Sequence, residues 1–170
     1  MKNLFVIILT VCLFTSCEQQ KIGYVDNGKL INEYQEKIDL EARLQTKISA
    51  FQKRTDSLRQ SFQLEINEAE IQARNMSQEN LQKLSQELQQ KEQVLSQRVQ
   101  FEQQQITQES QSTNDSLVNK VKNFVGNYGK TNGYSFILGS NEAGSVMFGK
   151  EESDITQVVL DALNSDYKSE

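Results

Sequence analysis

The sequence contains no proline, no histidine and no tryptophan, and only eight of its 170 residues are glycine. Without proline and with so few glycines, long helices can run uninterrupted. The absence of histidine removes the commonest general base and metal ligand, which argues against a hydrolase or a zinc site. The formal net charge of -5 argues against nucleic acid as a partner, because such proteins carry a basic stripe. The composition therefore predicts a helical protein that is not an enzyme and has no cofactor or metal.

Cysteine is nearly absent too. Cys12 lies inside an N-terminal apolar run and Cys17 lies just after it. If this run is removed on export, no pair of thiols remains to form a disulfide. Only 36% of the residues are hydrophobic, which argues against a large compact core. The exported chain therefore depends on packing or on oligomerisation for its stability.

Residues 4–14 form an almost purely apolar run after a short, weakly basic start. The run is too short to span a bilayer and is typical of a signal peptide, which we place at residues 1–16. Phe14-Thr15-Ser16-Cys17 resembles a bacterial lipobox, although leucine is typical where Phe14 stands. We therefore expect lipidation of Cys17 and a location in the periplasm or cell envelope, attached to a membrane. The alternatives are an ordinary secretory signal with a chance cysteine and an uncleaved anchor.

The dominant feature is the segment 40–124, which has neither proline nor glycine and is dense in Gln, Glu, Lys, Arg, Leu and Ser. Apolar residues recur there at steps of three and four, which is the heptad pattern of a coiled coil. In the first half of the segment we call this row the outgoing seam. Its members are Leu44, Ile48, Phe51, Leu58, Phe62, Ile66, Ala69, Ala73 and Met76, with Thr55 in the one polar position.

The seam loses its phase after Met76 and restarts at Leu81. The restarted row, which we call the return seam, consists of Leu81, Leu84, Leu88, Leu95, Val99 and Ile106. One interpretation is a stutter inside a single continuous helix. The other is a chain reversal within residues 74–80, where Asn75, Ser77 and Asn80 form the only mid-segment cluster of turn-tolerant residues. We favour the reversal, because each arm of a hairpin then buries its seam against the other. The segment 40–124 is thus predicted to be an antiparallel helical hairpin with its tip near residues 74–80.

Strand-forming sequences lie at the two ends of the chain. Residues 21–26, 134–139 and 146–148 are rich in β-branched and aromatic side chains and predict three short strands. Short helices are expected after the first strand and, following the N-cap candidates Ser153 and Asp154, at the end of the chain.

The glycines at 126, 129 and 133 are expected to break the return helix of the hairpin. The predicted fold class is therefore α+β, mostly α. In this arrangement the hairpin is inserted in a small β-rich body, which residues 17–39 and 125–170 form together.

This order of elements resembles the Skp/OmpH family. The local marks are Lys21-Ile22-Gly23-Tyr24-Val25-Asp26 with Gly28-Lys29-Leu30 near the start, and Phe136-Ile137-Leu138, Asp154-Ile155-Thr156 and Val158-Val159-Leu160 near the end. The resemblance implies a homotrimer whose three hairpins surround a cavity. In that cavity the trimer would hold unfolded outer-membrane proteins without ATP. This chain departs from the best-known members, which are basic and soluble, because it is acidic and carries a lipobox.

Two sets of candidate residues follow. Leu64, Ile71, Val94 and Phe101 lie off the seams, one heptad apart on each arm, and are candidates for an apolar stripe that holds a client protein. Scattered exposed apolar residues are also normal on any surface. The second set consists of residues expected to pack in the body or between subunits of the trimer: Ile22, Tyr24, Val25, Phe136, Ile137, Leu138, Val146 and Phe148.

Two further functions compete with a client-holding one. A coiled-coil scaffold lipoprotein of the envelope would share the lipobox and the heptads, and an adaptor would bind one folded partner. Between residues 42 and 115 there are nine Lys or Arg and ten Asp or Glu, so the arms are nearly neutral. Strong electrostatic capture is therefore not expected. We interpret Glu65, Glu68 and Glu70 as a solvated helix face.

Overall fold

The computed structural model describes residues 20–169, so the predicted signal peptide and Cys17 lie outside the described part. The described chain is predominantly helical, with a small parallel sheet that joins its two ends. Its elements are β1 (Ile22–Asp26), α1 (Asn27–Asn32), α2 (Gln35–Ala73), α3 (Gln78–Thr131), β2 (Phe136–Ser140), a 3₁₀ turn (Glu151–Ser153) and α4 (Thr156–Ser169).

The helices α2 and α3 form the predicted hairpin, so the interpretation as one continuous helix is wrong. The chain reverses between Ala73 and Gln78, inside the range that the sequence indicates. Ser77 caps α3, since its hydroxyl oxygen accepts a hydrogen bond from the backbone N–H of Asn80 at 3.4 Å. At 1.5 Å per residue, the 39 residues of α2 give an arm of about 58 Å.

The seam between the arms is the one that the heptad pattern predicts. Every member of the outgoing seam is buried or half-buried, and Phe51, Thr55 and Ala69 are the most buried. Ion pairs connect the arms at several levels: Lys120–Glu36 at the root, then Lys47–Glu109, Arg54–Glu102 and Lys91–Glu65. The two residue numbers of each pair add up to 156, so one antiparallel register holds from the root of the hairpin almost to its tip.

The body is built around the pairing of β1 with β2, which are parallel, with Ile22 opposite Phe136 and Asp26 opposite Ser140. The core beside this sheet combines residues of β1, α1, α3 and α4 with Tyr34, the N-cap of α2, and Leu40 of α2 packs against it. Its buried members are Val25, Leu30, Tyr34, Leu117, Val121, Ile155, Val159, Leu160 and Leu163. The roots of both arms are therefore part of the body's core.

The predicted strand at 146–148 is wrong, because the sheet of the described residues has only two strands. The other edge of β1 is already taken at Tyr24, whose carbonyl accepts a hydrogen bond from the backbone N–H of Ile155 at 3.0 Å. The chain turns at Gly144, a residue with a φ of 84°, and then packs against Tyr24 of β1. There the backbone of Gly149 lies so close to the Tyr24 ring that a side chain would collide. Met147 and Phe148 are left exposed.

The expectation that Gly126 and Gly129 break α3 is also wrong, since the helix continues to Thr131. A glycine inside a helix costs about 1 kcal/mol relative to alanine, which packing can offset. At Gly129 the missing side chain lets the helix approach the sheet, because a Cβ there would lie 3.1 Å from the Ile137 side chain. The chain leaves the helix at Gly133, whose φ of 71° favours glycine.

Candidate functional site

A polar network fixes the hairpin to the body at its root. The hydroxyl of the fully buried Tyr34 donates a hydrogen bond of 2.5 Å to Glu36, and the Lys120 ammonium group of α3 lies 2.9 Å from the same carboxylate. Burial opposes ionisation of Glu36, but the hydrogen bonds from Tyr34 and Lys120 outweigh it and lower the pKa of Glu36. Burial, followed by the hydrogen bond to Glu36, raises the pKa of Tyr34.

The helix α4 connects to the same network. The Tyr167 hydroxyl donates to Asp39 at 3.1 Å, and the backbone N–H of Gln35 donates to the Asn164 side chain at 2.8 Å. The Tyr34 and Tyr167 rings meet edge to face, with 6.0 Å between their centroids. Both arms and α4 therefore hold one another at the point where the hairpin leaves the body, which fixes the hairpin's direction.

The sheet has one covered and one open face. Val25 points into the core and Ile137 packs against it, as expected of body residues. Ile22, Phe136 and Leu138 project from the opposite face and are 47%, 55% and 46% exposed. Tyr24 is half-buried beneath Gly149, Val146 is half-buried, and Phe148 is exposed. A single chain therefore leaves an apolar surface on its body uncovered.

A cleft of about 700 Å³ lies beside this surface, between the end of α3 and β2. Its walls are mostly apolar and include Val118, Val125, Phe136 and Ile137. Together with the open sheet face, the cleft gives the body a continuous apolar surface.

The four candidate residues on the arms are all exposed, at 60–64%. They do not form a single stripe. Leu64 lies two positions from the seam residues Phe62 and Ile66, about 200° around the helix from each, so it projects away from α3. Ile71 lies two positions from Ala69 and Ala73 and projects in the same direction.

Val94 and Phe101 occupy a different face. Phe101 lies in a depression with Arg54, Arg98 and Glu102, on the flank where the ion pairs cross between the arms. Val94 precedes the seam residue Leu95 by one position, which places it on that same flank. The predicted stripe is thus two separate pairs, and their role in binding a client stays a prediction.

The opposite flank of the hairpin carries a groove that the sequence analysis missed. Its floor consists of seam residues, including Phe51, Leu58 and Val99, and its rim carries several glutamine side chains, including Gln52 and Gln103. The indicators in the sequence were the polar residue Thr55 within the seam and the abundance of glutamine around it.

Within residues 20–169, no three Cys, Asp or Glu side chains come together as ligands for a metal ion. None of the helices in this range is both long and apolar enough to cross a bilayer.

The network at the root predicts a pH dependence of stability. The pKa of Glu36 is lower in the folded chain, so its stabilising contribution is present above the unfolded value of about 4.3 and is lost as the pH falls through the folded value. Urea unfolding at pH 7 and pH 3 should show that Glu36→Gln reduces the difference in stability between the two conditions. Glu41→Gln, an exposed change on the same helix, is the control. An equal loss on acidification in wild type and Glu36→Gln would contradict the assignment.

Comparison with known proteins places this architecture in a family. The model of the family described as Outer membrane protein (OmpH-like) matches residues 21–163. Among curated proteins, no sequence matches. A solved structure of a candidate outer membrane chaperone (OmpH-like) from Caulobacter crescentus CB15 has the same fold, with a TM-score of 0.75 at 16% identity over 89% of this chain and 88% of that one. Since the family model spans most of the chain, this protein belongs to the OmpH-like family.

Proposed function

We propose that this protein is an ATP-independent holdase chaperone that binds unfolded outer-membrane proteins in the cell envelope. The observation that carries the proposal is the long hairpin that projects from a small body and keeps apolar side chains exposed along its arms, 60–64% in the case of Leu64, Ile71, Val94 and Phe101. The family membership and the similar Caulobacter structure support the same function. Multiple weak contacts on several arms add up through effective concentration, so no single contact needs to be strong.

The proposal includes a homotrimer. The open sheet face with Ile22, Phe136 and Leu138 and the adjacent cleft are apolar surfaces that association would cover. The outer edge of β2 has no partner strand among the described residues, and such edges are usually covered in stable assemblies. Association through the body would leave the hairpins free to surround a client.

The proposal also includes attachment through a lipid on Cys17. Lys21 is fixed to the body, because its carbonyl accepts a hydrogen bond from Ser135 at 2.8 Å and its ammonium group donates to the Asn132 carbonyl at 3.0 Å. Only residues 18–20 separate Cys17 from this point. A lipid on Cys17 would therefore hold the body, rather than the hairpin tip, close to the membrane.

A scaffold without chaperone activity is the alternative, and an aggregation assay separates the two. At near-stoichiometric ratios, a holdase should suppress the aggregation of unrelated unfolded membrane β-barrels, and a scaffold should have no effect. Changing Leu64, Ile71, Val94 and Phe101 to Ser should weaken the suppression several-fold, because the change removes exposed apolar contacts. The control changes Gln60, Gln72, Gln90 and Gln97 to Ser and should behave like wild type. Wild-type protein that leaves aggregation unchanged would refute the holdase proposal.

Light scattering on residues 18–170 tests the trimer. We expect the mass of three chains for the wild type. Leu138→Asp should shift the mass toward one chain, because a carboxylate cannot be buried unpaired between apolar surfaces. Circular dichroism checks that this variant keeps its helices. A wild-type mass of one chain, or of two, would contradict the trimer.

A further inference from the structure

The groove on the flank of the hairpin is continuous. Two depressions, of about 670 and 390 Å³, share Thr55, Arg59, Val99 and Gln100. Together they extend from Phe51 to Phe62, eleven positions along α2, or about 16 Å at 1.5 Å per residue. An extended polypeptide advances about 3.3 Å per residue, so the groove accommodates a segment of about five residues.

The groove and the ion pairs lie on opposite flanks of the hairpin. Arg54 and Asp56 adjoin the seam residue Thr55 on either side, each about 100° around the helix from it. Arg54 reaches across to Glu102 of the other arm at 2.9 Å. On the groove side, Asp56 instead lies 4.0 Å from Arg59 of its own helix. At the position of Thr55, an ion pair therefore connects the arms on one flank, while the groove on the other flank stays open.

The seam itself explains why the space is not filled. Thr55 is buried where the neighbouring seam positions carry Phe51 and Leu58, and its side chain is shorter than leucine. The next seam steps, from Leu58 to Phe62 and on to Ile66, are both four residues long. Two such steps in succession interrupt the heptad alternation and locally unwind the coil. The arms therefore pack less completely over this stretch.

The chemistry of the groove suits an unfolded chain. Apolar side chains form the floor, and Gln52, Gln100, Gln103 and Gln104 surround it. Each glutamine amide offers both donors and an acceptor, as a peptide backbone requires. The charged residues on the groove, Asp56, Arg59 and Glu92, have almost balanced charges, so the field selects neither acidic nor basic ligands.

We propose that this groove binds an extended, apolar-rich segment of an unfolded polypeptide, with its side chains on the seam floor and its backbone paired with the glutamine amides. The class of partner rests on the proposed holdase function. The groove, rather than the outward-facing Leu64 and Ile71, is then the main contact on each arm. The glutamine amides bind the peptide backbone, and the apolar floor accepts apolar side chains of different shapes. Binding is therefore independent of the peptide's sequence, apart from a requirement for apolar residues.

The test uses a fluorescent ten-residue uncharged peptide that alternates leucine and serine, titrated with the full mature protein and followed by anisotropy. The groove variant carries Gln52→Glu and Gln103→Glu. The matched variant carries Gln60→Glu and Gln97→Glu, which change the charge equally but lie opposite the seam on each arm. Glutamate and glutamine have similar helix propensities, so both variants keep their helices. We expect at least tenfold weaker peptide binding in the groove variant and less than a twofold change in the matched variant.

A second variant, Thr55→Leu, fills the floor of the groove. It should raise the thermal stability of the hairpin and weaken peptide binding at the same time, a combination that a purely structural role would not produce. Equal peptide affinity in wild type, the groove variant and Thr55→Leu would overturn the groove proposal. A change in assembly mass caused by the groove variant would also overturn it, because the groove would then be a contact between copies of the chain.

The aggregation assay runs in parallel and separates the two proposals. If wild type suppresses aggregation and the groove variant retains full peptide affinity, the groove proposal fails and the holdase proposal stands. If the peptide binds in the groove but wild type does not suppress aggregation, the holdase proposal fails and the groove remains a polypeptide-binding site.

Discussion

The parallel pairing of β1 with β2 is the constraint on which the rest of the structure depends. Parallel strands need a crossover connection, and here that connection comprises all the residues between Asp26 and Phe136. A single long helix would carry the chain away from the body and leave β2 far from β1. The reversal at residues 74–77 returns it, so closure of the body and formation of the hairpin depend on each other.

The stability of the hairpin comes mainly from its seam. The cross-arm ion pairs beyond the root are largely exposed, and pairs of that kind contribute about 0–1 kcal/mol each, whereas burial of a single large apolar side chain contributes about 1.5–3 kcal/mol. The ion pairs therefore set the register more than the stability. Toward the body, the network of Tyr34, Glu36 and Lys120 joins the arms to α4, so the hairpin leaves the body in a defined direction. Such an architecture is stiff at its root and sparsely packed along its arms, which suits the proposed binding of many different unfolded chains.

The features that follow from local periodicity could be predicted from the sequence. The outgoing seam from Leu44 to Met76 and the reversal near Asn75 depend only on the spacing of apolar and turn-forming residues. The strand expected at 146–148 could not be judged this way, because a strand needs a partner edge, and the chain at Gly149 instead packs against the Tyr24 ring. The continuation of α3 past Gly129 could not be predicted either, because it depends on the close packing of the helix against Ile137 of β2.

The arrangement of side chains on the hairpin surface also could not be predicted from the sequence alone. The exposure of Leu64 and Phe101 follows from their positions off the seams, but the side of the hairpin on which each one lies depends on the antiparallel register. The groove required that register as well, since its floor and rim come from both arms. Thr55 and the two successive four-residue steps are visible in the sequence, but they predict a groove only once the position of the second arm is known.

Hydrogen exchange with and without an unfolded membrane β-barrel tests the central claim, that the arms rather than the body hold the client. The account predicts slower amide exchange in the arm segments from Ile48 to Ile66 and from Glu92 to Ile106 when the client is present, with little change in β1, β2 and α4. Protection confined to the body, or no protection anywhere in the presence of client, would contradict it.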